Sequence, residues 1–237
     1  MVDKRTKLPI KSTSAEVDAF LAKIAGPPAV KAAGGRGRLI FAMDATASRA
    51  PTWDVACDIQ AEMFKETAAL GGLDIQLCYY RGHGEFFASA WLSSSAMLLK
   101  EMNGVYCVGG MTQIRRVFEH ALRESRGKGI NALVFVGDCI EEDLDQVCAL
   151  GGQLGLVGVP AFLFHEGVDV VAKRVFGELA RLTKGAYCRF DTSSATQLSD
   201  LLGAVAVYAA GGRKALKHFG TRKGGVVQQL TDQMTKS

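Results

Sequence analysis

The sequence predicts an α/β domain: a doubly wound, mostly parallel sheet with one antiparallel edge strand and helices on both faces. Short apolar runs such as Leu39-Ile40-Phe41-Ala42 and Ala132-Leu133-Val134-Phe135-Val136 read as strands, and they alternate with segments of helical spacing. That alternation demands right-handed crossover connections and a sheet covered on both faces. The antiparallel pair is read from Tyr79-Tyr80-Arg81-Gly82-His83-Gly84-Glu85-Phe86-Phe87, whose Gly-flanked centre has the form of a tight hairpin.

Taken in order, Ser14 is a good N-cap for a helix over 15–25, where Val17, Phe20, Leu21 and Ile24 recur at helical spacing. Gly26-Pro27-Pro28 ends that helix and Gly34-Gly35 forms a joint before the main domain. Strands are expected near 38–43, 73–80, 84–90, 131–137, 159–165 and 186–190, and helices near 51–70, 93–103, 112–126, 142–154, 169–183 and 195–210. From Arg213 the chain is basic and punctuated by glycine, which reads as a loosely held tail. The division is therefore an N-terminal helix and basic linker (1–37), the α/β domain (38–212) and a basic C-terminal tail (213–237).

Charge follows the same division. Residues 1–38 and 213–237 each carry a net +5, which leaves −6 on 39–212 out of a total of +4. An acidic body with basic flanks is not by itself a nucleic-acid-binding domain. Six cysteines show no CxxC spacing and lie mostly in apolar runs, so neither a zinc site nor a disulfide framework is indicated. Met1-Val2-Asp3-Lys4-Arg5 leads into no apolar signal segment, and the apolar stretch 154–164 is broken by Gly155, Gly158 and Pro160. A reducing cytoplasm is the expected location.

Five oxygen-bearing side chains fall at strand ends: Asp44, Thr46 and Ser48 after the first strand, Thr112 after Gly109-Gly110-Met111, and Asp138 after Val136-Gly137. Ligands of such sheets bind beyond the carboxyl ends of the strands, where strand order reverses. Two carboxylates supply charge there and three hydroxyls supply neutral oxygen, a donor set for a hard octahedral cation that retains an open position. Each residue alone is explained equally well as a cap or turn former; the full set in order points to a metal.

In these residues the sequence resembles the von Willebrand factor A (VWA) domain family, whose metal-ion-dependent adhesion site is built on Asp-x-Ser-x-Ser, a distant Thr and a distant Asp. Asp44-Ala45-Thr46-Ala47-Ser48 matches the first element, Gly110-Met111-Thr112 the second and Val136-Gly137-Asp138 the third, over about 38–212. Thr46 replaces the usual Ser and keeps the hydroxyl; Cys139 stands where Gly often follows the last Asp. The resemblance implies Mg2+ or Mn2+ held by Asp44, Thr46, Ser48, Thr112 and Asp138. It also implies a protein partner that offers a Glu or Asp carboxylate, and a binding function in place of an enzymatic one. For a bacterial-type intracellular member it permits a partner such as an AAA+ ATPase or a stress-response component.

Two other readings stand beside it. A haloacid-dehalogenase-like phosphatase would use Asp44 as nucleophile, Thr112 on the phosphate, and Asp138 with Glu142 or Asp143 as its Mg2+ loop. It lacks the acid expected at position 46 and a Lys well before the acidic loop, since Lys128 directly precedes the strand that leads there. A degenerate scaffold with an empty site is the third. His83 reads as an exposed hairpin residue, His120 as packed or solvated, and His165-Glu166 as a turn or rim pair. Glu141-Glu142-Asp143 reads as the acidic start of the next helix.

Overall fold

A computed structural model describes residues 36–70, 72–190 and 195–223, so the helix expected over 15–25 lies outside the described residues. Six strands form one sheet: β1 (Gly37–Asp44), β2 (Leu73–Arg81), β3 (Glu85–Ala88), β4 (Ala132–Gly137), β5 (Ala161–Glu166) and β6 (Ala186–Phe190). Their order is β3-β2-β1-β4-β5-β6; every pair is parallel except β2 with β3. The hairpin between those two turns on Gly82 and Gly84, both at positive φ.

Among the described residues seven α-helices flank the sheet, six between strands and the last after β6: α1 (Ala50–Ile59), α2 (Ala61–Thr67), α3 (Ser95–Asn103), α4 (Ile114–Arg126), α5 (Leu144–Leu156), α6 (Val170–Leu182) and α7 (Ala195–Lys223). The side chains of β1 divide them. Leu39, Phe41 and Met43 pack with residues of α1, α2, α3 and α7, while Ile40 and Ala42 pack with residues of α4, α5 and α6. This period-two split puts a buried core on each face of the central strands, and it is why they are apolar without alternation.

Two differences from the sequence expectation have local causes. The helix expected over 51–70 is two helices, α1 and α2, meeting at Gln60 and followed by a 3-10 turn over Ala68–Leu70. The last helix does not stop at 210. It continues to Lys223 across a kink at Gly212 (φ 67°), so the boundary drawn at 212 falls on that kink. Beyond it Phe219 is buried and Leu216 packs against the core, which holds the helix to the domain past the kink. Among the described residues no helix is long and apolar enough to cross a membrane.

The order of strands reverses between β1 and β4: the chain moves outward through β2 and β3, then returns to the other side of β1. The crevice at the carboxyl ends of β1 and β4 is therefore the expected ligand position.

Candidate metal centre

Asp44 is the last residue of β1 and is wholly buried. Its Oδ1 accepts the Thr46 backbone N–H at 2.7 Å, and its Oδ2 accepts the hydroxyl of Tyr80, the facing residue of β2, at 3.0 Å. The first bond is an Asx turn that takes the chain out of the strand. A 3-10 turn over Ala47–Arg49 follows, with Arg49 N–H bonded to Thr46 O at 3.0 Å. Alternate residues are thereby brought together: Thr46 Oγ1 and Ser48 Oγ lie 3.4 Å apart.

Ser48 closes the crevice by donating its hydroxyl to Asp138 Oδ2 at 2.8 Å. Asp138 follows β4, and Gly137 before it faces Asp44: a Cβ there would strike the Phe135 ring at 2.8 Å and stand 3.8 Å from Asp44 Cβ. Asp44, Thr46, Ser48 and Asp138 thus form one linked cluster, graded from buried Asp44 to exposed Ser48.

Thr112 reaches this cluster indirectly. Its N–H donates to Glu141 Oε2 at 3.1 Å and its Oγ1 accepts the Glu141 N–H at 2.9 Å, which ties it to the loop that carries Asp138. Gly110 places it: a Cβ at that position would overlap the Gly82 carbonyl of the hairpin, whereas one at Gly109 would meet nothing within 4 Å. A cleft of about 390 Å³ opens beside Thr112, lined among others by His83, Met111, Arg116 and Gln146.

The electrostatics fit a cation. Burial pushes the pKa of Asp44 up, the charge of Asp138 pushes it further, and the Thr46 and Tyr80 bonds oppose both. Burial, then Asp138, push the Cys139 thiol up to about 12, which leaves it protonated and inert as a nucleophile. Asp138 Oδ1 is buried and has no hydrogen-bond partner among the described residues. An orphaned carboxylate oxygen is costly unless something positive meets it. Among the described residues no three His, Cys, Asp or Glu side chains gather as metal ligands; here two carboxylates are joined by hydroxyls, an all-oxygen set that suits a hard divalent cation.

Several residues at the site were not legible as such. Arg49, next to Ser48, is 2% exposed; its Nη1 stands 4.0 Å from Asp138 Oδ2 and its Nη2 forms an ion pair with Glu166 at the end of β5. Thr52 of α1 donates its hydroxyl to the same Glu166 oxygen. His165, expected in a turn or on the rim, is instead fully buried: its Nε2 is 3.1 Å from Asp138 O and its Nδ1 2.9 Å from Tyr187 Oη. It braces the Asp138 backbone from below.

The acidic run also differs from expectation. Only Asp143 caps its own helix, accepting from the N–H groups of Asp145 and Gln146. Glu141 takes Thr112 N–H, and Glu142 takes Ile114 N–H at 2.5 Å and Arg115 N–H at 3.0 Å, so both serve the start of α4. His83 is exposed as expected, and His120 is packed, with Nε2 2.8 Å from Gln76 Oε1.

No family model matches the chain, and no curated protein matches it. Solved structures match its fold. A von Willebrand factor type A protein from Catenulispora acidiphila superposes with a TM-score of 0.60 at 14% identity, over 73% of this chain and 43% of that one. Proximal thread matrix protein 1 from the mussel byssus, in a form described as having a zinc-occupied MIDAS motif, gives 0.55 at 12%, over 73% and 46%. The vWF domain of the pilus tip protein Mfa5 from Porphyromonas gingivalis gives 0.57 at 8%, over 74% and 97%. This chain thus spans less than half the length of the first two and nearly all of the third. The fold is that of a VWA domain.

Proposed function

We propose that the chain is a divalent-cation-dependent protein-binding domain. Asp44, Thr46, Ser48 and Asp138, with Thr112 from the neighbouring loop, would hold Mg2+ or Mn2+ directly or through water. When bound, the ion would supply an incompletely neutralised positive charge for the carboxylate of a partner's Glu or Asp. The observation that carries the proposal is the buried, unpartnered Asp138 Oδ1 within a cluster of oxygen donors at the switch point.

The surroundings support a macromolecular ligand. Tyr106 and Met111 are exposed in the loop before α4, and Val168, Val170 and Val171 are exposed where β5 passes into α6. These apolar side chains flank the cluster on the same edge of the sheet, a composition suited to a protein surface.

The residues fit phosphoryl transfer less well. Both Asp44 oxygens are occupied by Thr46 N–H and Tyr80 hydroxyl, so the carboxylate is held for structure or ligation, not poised for attack. Lys128 precedes β4 at the opposite edge of the sheet, and the cation beside the cluster is Arg49.

The test is calorimetric titration of Mg2+ and Mn2+ into chelator-treated protein, wild type beside Asp44→Asn, with phosphate release assayed on the same samples. Asparagine keeps an acceptor for Thr46 N–H while removing the charge. Saturable binding that falls at least about 100-fold in the variant, without turnover, is expected, because one of the site's two carboxylate charges is lost. Asp44-dependent phosphate release would replace the proposal with the enzyme.

A further inference from the structure

Arg49 is an unusual neighbour for a cation site. A guanidinium almost fully withdrawn from water stands beside Asp138, on the very turn that carries Thr46 and Ser48. Its position is fixed from three sides: by its own N–H on Thr46 O, by the ion pair with Glu166, and by Thr52, which holds that Glu166. Its Nε meets no acceptor among the described residues.

Glu166 alone does not account for this placement, since a pair with Glu166 needs no approach to Asp138. We propose that Arg49 is the resident counter-cation of the site, anchored on Glu166 and sharing the charge of Asp138, and that it lowers the affinity for a bare divalent ion. The inference rests on the reading of the cluster as a metal site. Its physical basis is that a fixed positive charge a few ångströms from a ligand carboxylate, shielded from water, repels an incoming cation far more than a surface charge does. The same charge offsets that of Glu166 beside the two aspartates, so the loaded site does not turn negative, which favours a partner's carboxylate. Glu166 sets the strength of the effect, because it decides how far the guanidinium is drawn away from Asp138.

Two quantities should move in opposite directions on removing Arg49. Stability should fall, because the half-buried Glu166 loses the guanidinium and keeps the Thr52 hydroxyl, which carries no charge to match its own. Metal affinity should rise. A purely structural role would lower both or leave the second unchanged. The experiment is Mn2+ titration, read by electron paramagnetic resonance of free Mn2+, with thermal melting of the same chelated samples, on wild type, Arg49→Gln, Arg49→Lys, Glu166→Gln and the double variant Arg49→Gln/Glu166→Gln. Arg49→Gln should melt lower yet bind Mn2+ roughly ten-fold tighter, Arg49→Lys should bind as wild type, and Glu166→Gln should bind more weakly. The double variant leaves no unpaired charge at the pair and should bind more tightly than Glu166→Gln, which gives an answer even if Arg49→Gln does not fold. Binding by wild type with no tightening on removal of Arg49, in either background, overturns the inference and leaves the metal site standing. Absence of Mn2+ binding in all five proteins overturns both.

Discussion

At the residue scale the cluster is a set of short local bonds joined by a few long-range ones, and the two kinds differ in legibility. Asp44, Thr46 and Ser48 were readable because a strand end followed by alternate oxygen-bearing residues has a single local geometry, the Asx turn seen at Thr46 N–H. Asp138 was readable from the second strand. Arg49, Tyr80, Glu166 and His165 were not, because their roles depend on partners brought alongside by sheet register, such as Asp44 opposite Tyr80 and Gly137 opposite His165. His120 shows the same dependence away from the site: Gln76 and the Phe86 ring, on two different strands, enclose it. Burial holds its pKa below the ordinary 6.5, so the folded state favours the neutral ring. The stability this contributes is complete above that value and is lost as pH falls through the lowered folded one. Urea unfolding at neutral pH and near pH 5 should therefore show a smaller acid-induced loss in His120→Gln than in wild type; equal losses would show that His120 does not contribute.

At the element scale, glycines decide how closely loops approach, and two of them separate site from scaffold. Gly110 lies against the Gly82 carbonyl of the β2–β3 hairpin, with Met111 N–H bonded to that same carbonyl at 3.1 Å. Gly155 of α5 lies against the Leu182 carbonyl at the end of α6, away from the cluster. Alanine at either should cost about 1–3 kcal/mol, the usual price of overpacking. Gly110→Ala should also weaken Mn2+ binding, because it displaces the segment that leads to Thr112, whereas Gly155→Ala should leave it unchanged. Chemical denaturation with parallel Mn2+ titration checks both; equal metal affinity in the two variants would remove Thr112 from the site. The strands were legible to within a residue or two because their apolar runs are bounded by Gly and polar residues. The break at Gln60 and the continuation past Gly212 were not, since α2 and α7 are held by packing against each other and the core, and local sequence carries little of that.

At the scale of the whole molecule, alternation of strands and helices fixes an α/β class, but the order β3-β2-β1-β4-β5-β6 depends on which strands find each other. The hairpin glycines dictated one neighbour pair; crossover handedness restricted the rest. The outcome places Asp44 and Asp138 at the carboxyl ends of adjacent strands at the reversal of order, which is what turns a spaced motif into a site. Crystals soaked in Mn2+ would reveal, through the anomalous signal of the ion, whether these oxygens hold a divalent cation. One strong peak is expected within ligand distance of Asp44, Ser48 and Asp138 oxygens or of their bound waters, with Asp138 Oδ1 no longer without a partner. A peak instead on Glu141 and Glu142, or no peak at saturating Mn2+, would contradict it.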